Sequence, residues 1–131
     1  MYTSRQAFEM VHHLLLKYYE TEPSRSLAFL VNGTDPSLFR NGRHTSPAIF
    51  QEWEALTFEM LGSEEFSLDD VLDSAIAFIE HEIHTFGYCQ NGTVNEAGKA
   101  FAQIALEIAG HREESLDYLL ETEEIPAFSM A

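Results

Sequence analysis

The 131-residue chain carries 22 acidic and 7 basic side chains, which gives a formal net charge of −15 at pH 7. This negative charge argues against nucleic acid or an anionic membrane as the partner, and it permits a basic protein partner. Hydrophobic residues make up 45% of the chain, which predicts one folded domain over residues 1–131 rather than disorder.

Targeting features are weak in this sequence. A single cysteine cannot form an internal disulfide, which indicates a reducing compartment. Charged residues and histidines interrupt residues 1–16, so this stretch does not resemble a secretory signal peptide. Apolar runs such as residues 75–79 are far shorter than a membrane span. These features predict a cytoplasmic protein.

The first predicted helix begins after Thr3 and ends near residue 20. Thr3 and Gln6 have the spacing of a capping box, in which each residue satisfies a backbone N–H of the other. Apolar residues then recur at helical spacing: Phe8, Val11, Leu15 and Tyr19. Glu9 and His13 are expected on the solvent face of this helix.

Residues 24–46 are ambiguous in the sequence. Ser24 could cap a short helix that ends at Asn32-Gly33, whereas residues 27–31 could instead form a strand. The basic residues of this connector are predicted to neutralise acidic helices of the same fold: Arg25, Arg40, Arg43 and His44.

A third helix is predicted from Ser46-Pro47 to Gly62, since serine and proline favour a helix start and glycine a helix end. Its predicted buried face consists of Ile49, Phe50, Trp53, Leu56, Met60 and Leu61. Phe58 is expected to project from the opposite side, near Glu54 and Glu59.

Ser67 and Asp70 predict the start of the longest helix, which ends at Gly87. Its apolar stripe consists of Leu68, Val71, Leu72, Ala75, Ile76, Ile79, Ile83 and Phe86. The far side carries Asp69, Asp70, Asp73, Glu80, His81 and His84. Glu82 is expected at the rim of the stripe, where it would be partly covered.

The remaining chain predicts two further helices. Thr93 and Glu96 have the spacing of a second capping box for a helix that ends at Gly110, and a final helix contains Leu116 and Leu119. The apolar tail, residues 125–128, is expected to pack back on the domain. The fold class is therefore all-α, an irregular bundle of about five or six helices.

Catalytic and metal-binding signals are sparse. Residues with metal-ligating side chains occur together on the longest helix: Glu80, His81 and His84. A metal site needs three or four ligands with a supporting shell, and the zincin motif His-Glu-x-x-His is not matched. Cys89 follows a helix C-terminus among acidic residues, which disfavours a reactive thiolate. The sequence thus predicts no metal, cofactor or catalytic residue.

Negative charge is concentrated in residues 44–98, which contain eleven acidic residues and no Lys or Arg. A surface of one sign attracts cationic partners and repels anionic ones. The predicted contact residues are six acids and one aromatic anchor: Glu54, Phe58, Glu59, Asp69, Asp70, Asp73 and Glu80. No cation lies near these acids in the sequence, so we expect this face to lack a local neutralising cation.

The leading hypothesis is an acidic, non-enzymatic protein that occludes a basic protein. Its most common form would be an immunity protein or antitoxin that covers the cationic active site of a nuclease-type toxin. This hypothesis depends on charge and size, because no motif identifies a family. One alternative is a small metal-binding protein or enzyme that uses Glu80, His81, His84 and His44. Another is a homo-oligomeric adaptor without a site of its own. The sequence does not determine the oligomeric state.

Overall fold

A computed structural model describes residues 1–36, 48–126 and 128, and these residues form a helical bundle. The helices are α1 (Ser4–Thr21), α2 (Arg25–Gly33), α3 (Ala48–Leu61), α4 (Leu68–Phe86), α5 (Glu96–Gly110) and α6 (Arg112–Glu121). A short 3-10 helix, Thr122–Glu124, follows α6. Two short strands, β1 (Tyr2–Thr3) and β2 (Glu65–Phe66), pair antiparallel. The predicted all-α class and number of helices are confirmed.

Local capping signals placed several helix starts correctly. The Thr3 hydroxyl accepts a hydrogen bond from the Gln6 backbone N–H at 3.1 Å, and the Gln6 side chain accepts one from Thr3 N–H. Ser24 caps α2, so its helical interpretation is confirmed and the strand alternative is wrong. The predicted features at residues 40–47, including Arg40, Arg43, His44 and Ser46-Pro47, lie outside the described part of the chain.

An aromatic cluster where α1, α3 and α4 meet forms the centre of the core. Trp53 stacks on Phe66 with ring centroids 6.0 Å apart, and Phe8 and Phe78 pack around it. The Trp53 indole N–H donates to the Ser4 backbone carbonyl at 3.2 Å. Trp53 is fully buried, which confirms its predicted place on the inner face of α3.

The predicted inner face of α3 is partly wrong at its C-terminal end. Thr57 is buried there, whereas Met60 is exposed. Thr57 lies one helical turn after Trp53, and its hydroxyl donates to the Trp53 carbonyl at 2.8 Å. Because this bond satisfies the hydroxyl, a polar residue can occupy a buried position that a search for apolar residues misses.

The start of α5 also differs from its prediction. Asn95, rather than Thr93, caps the helix, because its side-chain oxygen accepts from the Gly98 N–H at 2.8 Å. The Asn95 amide also donates to the Phe86 carbonyl at 2.8 Å, so one side chain joins the end of α4 to the start of α5. Thr93 donates its hydroxyl to Asn91 instead.

Some faces of α1 and α4 differ from expectation. Glu9 is buried rather than solvent-facing, because Asp35 and Pro36 after α2 and the residues after α6 lie over that side of α1. Glu82 is completely covered rather than partly, and Phe86, predicted in the apolar stripe, is exposed. Phe128 packs against the core, so the expected docking of the tail is confirmed at this residue.

Candidate functional site

The structure separates the seven predicted contact residues. Asp69 and Asp73 lie beside α6, where Arg112 bridges them: its Nη2 is 2.8 Å from Asp69 Oδ1 and its Nη1 is 3.1 Å from Asp73 Oδ1. The expectation that these acids lack a cation is therefore wrong. Arg112 is 39 residues beyond Asp73 in the sequence, so a search of the local sequence does not find it.

Asp70 has a structural role in the same helix. Its Oδ2 accepts a hydrogen bond from the Ser67 backbone N–H at 3.0 Å, and the Ser67 hydroxyl accepts one from the Asp70 N–H. This reciprocal pair caps α4, as the sequence predicts. A carboxylate at this position also interacts favourably with the helix dipole.

The α3 side of α4 lies away from the Arg112 side. Glu82 is thirteen residues after Asp69, which corresponds to about 220° around an ideal helix, and the carboxylate of Glu52 on α3 lies next to it. Glu54, Phe58 and Glu59 on α3 therefore do not form one continuous face with Asp69 and Asp73. Glu80 is exposed on the Asp69 side of α4.

A groove of about 840 Å³ lies between the N-terminal end of α1, α3 and the residues that lead into β2. Phe50 and Phe66, which are buried, contribute apolar walls, and Phe58 lies at the groove with 57% of its surface exposed. The acids in its lining are Glu54, Glu64 and Glu65, and all three are exposed. Of the predicted contact residues, the groove includes Glu54 and Phe58.

The turn after α3 builds one wall of this groove. Gly62 adopts a φ of 66°, a left-handed conformation that glycine tolerates without a steric cost. The Ser63 hydroxyl accepts from the Glu65 N–H at 3.0 Å, and the pairing of Glu65 with Thr3 joins this wall to β1. Glu64 was missed as a contact residue because it lies in a turn, where no helical pattern indicates its direction.

The charge balance of the groove is negative. Within the described residues, Arg5 is the one basic residue in the lining, against three carboxylates. Neither Glu54, Glu64 nor Glu65 forms an ion pair with another described residue, whereas Asp69 and Asp73 do. The groove thus combines exposed negative charge with an exposed aromatic ring.

A buried carboxylate lies between α3 and α4. Glu82 has no exposed surface, and its oxygens form no hydrogen bond of ordinary geometry with the described residues. Burial raises the pKa of Glu82 from its usual 4.5 to about 7, and the neighbouring Glu52 carboxylate adds to this increase. Ionisation of Glu82 therefore opposes the packing of α3 on α4.

Among the residues that the structure describes, which exclude His44, the predicted metal alternative gains no further ligand. Across residues 1–36, 48–126 and 128, no three His, Cys, Asp or Glu side chains cluster in a way that could hold a metal ion. The His84 ring packs near Tyr88, with centroids 6.1 Å apart. Cys89 is exposed in the turn between α4 and α5.

Comparisons with protein-family models, with curated proteins and with solved structures find no match for this chain. None of the described helices has the length and apolar character required to cross a bilayer.

Proposed function

We propose that the protein binds a basic protein through the groove between α1, α3 and β2. The observation that carries this proposal is the exposed ring of Phe58 in a groove with three exposed carboxylates. Exposed aromatic residues beside a concave surface are frequent anchors of protein interfaces. The carboxylates favour Lys and Arg side chains in the segment that covers the ring.

Affinity and association rate have different origins at this surface. Burial of Phe58 removes apolar surface from water, which favours a slow dissociation. The net charge of −15 attracts a cationic partner over a distance set by the ionic strength. Asp69 and Asp73 add to this long-range attraction, but Arg112 already donates a hydrogen bond to one oxygen of each.

The partner that best fits this surface is a nuclease-type toxin, and the protein would act as its immunity protein or antitoxin without enzymatic activity. Nuclease active sites contain cations because they bind phosphate groups. An acidic domain of 131 residues is large enough to cover such a site and exclude the nucleic acid. Charge and size support this identification of the partner.

The test uses a pair of matched triple variants and a basic protein that co-purifies with the wild-type chain or is encoded by a neighbouring gene. One variant reverses the groove: Glu54→Lys, Glu64→Lys and Glu65→Lys. The control makes the same change in net charge at exposed acids outside the groove: Glu20→Lys, Glu80→Lys and Asp117→Lys. Both variants should keep the helical circular dichroism spectrum, because all six positions are exposed.

We expect the groove variant to bind the basic partner at least about a hundredfold more weakly. This corresponds to a loss of several kcal/mol in binding free energy, as expected for close charge contacts. The control should lose about tenfold or less, from weaker long-range attraction. Equal losses would show that net charge, rather than the groove, determines binding. A basic neighbour that the wild-type protein does not bind would contradict the proposed partner.

A further inference from the structure

An exposed pair of aromatic rings lies where α2 meets the end of α4. The rings of Phe29 and Phe86 have centroids 5.1 Å apart and meet edge to face. Each residue keeps 46% of its surface exposed, although the apolar stripe of α4 predicts that Phe86 is buried. The fold of the described residues thus leaves this apolar pair uncovered.

A hollow lies on each side of the aromatic pair. The larger hollow has a volume of about 430 Å³, lies between the end of α2 and the start of α3, and includes Glu52. The smaller has a volume of about 250 Å³, lies between the start of α2 and α5, and includes Arg25. Phe29 and Phe86 line both hollows, so the pair forms the ridge between them. We call the ridge and its two hollows the aromatic surface.

The two hollows carry opposite charges. Among the described residues that line them, the charged side chains are Glu52 in the larger hollow and Arg25 in the smaller. Arg25 begins α2, whereas the larger hollow includes Asn32 near the end of this helix. Seven helical residues span about 10 Å. The negative and positive ends of the aromatic surface therefore lie on opposite sides of the ridge.

Neither charge has an opposite charge beside it within the described residues. Arg25 is exposed and forms no ion pair with a described residue, although the sequence predicts that it neutralises an acidic helix of the same fold. Glu52 is also exposed, and its charged neighbour is the buried carboxylate of Glu82. A cation at Glu52 therefore stabilises two carboxylates that the described part of a single chain leaves uncompensated.

The aromatic surface is complementary to a second copy of itself. In a two-fold dimer the same patch of both copies meets, so each contact between two different residues occurs twice. An axis through the ridge brings the Arg25 end of each copy onto the Glu52 end of the other. The aromatic pairs then cover each other at the centre of the contact, where interfaces are enriched in aromatic residues and arginine.

We propose that the aromatic surface is the interface of a homodimer, in which Arg25 of each copy pairs with Glu52 of the other across the packed rings of Phe29 and Phe86. One charge of each sign favours a second copy over a basic protein, which two acidic hollows would suit better. Glu54, in the groove, lies about 200° from Glu52 around α3. The dimer therefore leaves both grooves open, and its failure leaves the proposed protein-binding function untouched.

Net charge gives the dimer a distinctive salt dependence. Each copy carries a net charge of −15, so two copies repel each other at long range, and salt weakens this repulsion. The contacts between Arg25 and Glu52 are short and partly buried, so salt screens them less. We therefore expect the dimer to form more readily as salt increases, whereas the groove binds its basic partner less readily.

The first test measures self-association of the full chain by sedimentation equilibrium from about 10 μM to about 1 mM. We expect a reversible dimer, with concentration-dependent NMR shifts at Phe29 and Phe86. Phe29→Ser should weaken association at least about tenfold, because it removes an anchor ring. Phe58→Ser removes a similarly exposed ring from the groove and should dimerise as wild type does.

Two results of this first test would overturn the proposal. One is a wild-type chain that stays monomeric at high salt over the whole concentration range, and the other is equal association of the two serine variants. If the chain is monomeric and the basic partner shifts the signals of Phe29 and Phe86, the aromatic surface binds that partner instead.

The second test exchanges the paired charges. Arg25→Glu brings two acids together in its homodimer, and Glu52→Arg brings two arginines together, so each variant alone should associate at least about tenfold more weakly than wild type. An equimolar mixture of the two restores both opposite-charge contacts at the same total charge, and it should form a heterodimer with nearly wild-type affinity. Glu80→Arg, on the Asp69 side of α4, is the control and should not weaken association.

Circular dichroism of each variant checks that the helices are intact. A mixture of folded charge variants that does not associate would overturn the two-fold contact, as would an equal loss with Glu80→Arg. If Glu52→Arg does not fold, the comparison of Phe29→Ser with Phe58→Ser decides.

Discussion

The two helices on either side of α4 pack against it in contrasting ways. On the α5 side the backbones approach closely: a Cβ atom on Gly98 would lie 2.4 Å from the Gly87 carbonyl oxygen. Asn95 also connects the two helices there. On the α3 side, the buried carboxylate of Glu82, which forms no hydrogen bond of ordinary geometry with the described residues, faces the carboxylate of Glu52. The contrast indicates that the contact of α4 with α5 stabilises the bundle more than its contact with α3, the helix that carries Phe58.

The largest expected effect is the pH dependence caused by Glu82. Between pH 4.5 and 7 the folded protein keeps this proton and the unfolded chain loses it, so the free energy of unfolding decreases as pH rises through this range. Glu82→Gln removes this dependence. Relative to wild type, it should gain up to about 3 kcal/mol between pH 4.5 and 8.

The measurement for Glu82 is urea unfolding of wild type, Glu82→Gln and Glu80→Gln, each at pH 4.5 and at pH 8. Any constant cost of the buried amide cancels when the two pH values are compared. Glu80 is exposed on the same helix, so its variant should follow the wild-type pH dependence. Parallel curves for wild type and Glu82→Gln would show that α3 packs on α4 without an ionisation cost.

The α5 side should resist even one added methyl group. Gly98→Ala places its Cβ against the backbone of Gly87, which cannot move without displacing α4. We expect a loss of about 2 kcal/mol in the free energy of unfolding, measured by thermal or urea denaturation. Gly110→Ala is the control, because nothing lies within 4 Å of its Cβ. It should be neutral or stabilising by about 0.5–1 kcal/mol, and an equal loss in both variants would contradict the close approach.

Phe58 should separate binding from stability. Its ring is 57% exposed, so Phe58→Ala should change the free energy of unfolding by less than about 0.5 kcal/mol. The same change should weaken the basic partner about tenfold, because an anchor ring is lost. Leu106→Ala, at an exposed position on α5, provides the control and should bind as wild type does. Equal affinities of the two variants would remove Phe58 from the interface.

The smallest effect is expected at Arg112. Arg112→Gln removes the cation shared by Asp69 and Asp73, but all three side chains are exposed, so stability should decrease only slightly. Partner affinity should stay within about twofold, because the groove lies away from this face. A large gain in affinity on surface plasmon resonance would mean that the uncovered aspartates join the interface.

Local sequence signals predicted the helices well and the surfaces less well. Thr3 with Gln6 and Ser67 with Asp70 identified helix starts because both partners of each cap lie within one turn. Arg112 meets Asp69 only through the packing of α6 on α4, and no local pattern contains that contact. Without that contact, the sequence predicts that an acid such as Asp69 lies in solvent or on a binding surface.

Buried polar residues are the second reason why the predicted surfaces differ from the structure. Glu9 and Glu82 were expected on or near solvent because carboxylates usually are, yet distant parts of the chain cover both. The sequence predicts one part of the groove, since Glu54 and Phe58 are on the same face of α3. Glu64 and Glu65 join them only through the turn at Gly62 and the pairing of β2 with β1, which no helical pattern indicates.

The central claim is that a basic partner binds in the groove, and chemical-shift mapping tests it most directly. The isotope-labelled protein is titrated at low and at high salt with an unlabelled basic protein that co-purifies with it or is encoded by a neighbouring gene. We predict that the largest shifts occur at Thr3–Arg5, around Phe58 and at Glu64–Phe66, and that binding weakens as salt increases. Shifts concentrated around Asp69, Asp73 and Arg112, with the groove unperturbed, would contradict the claim.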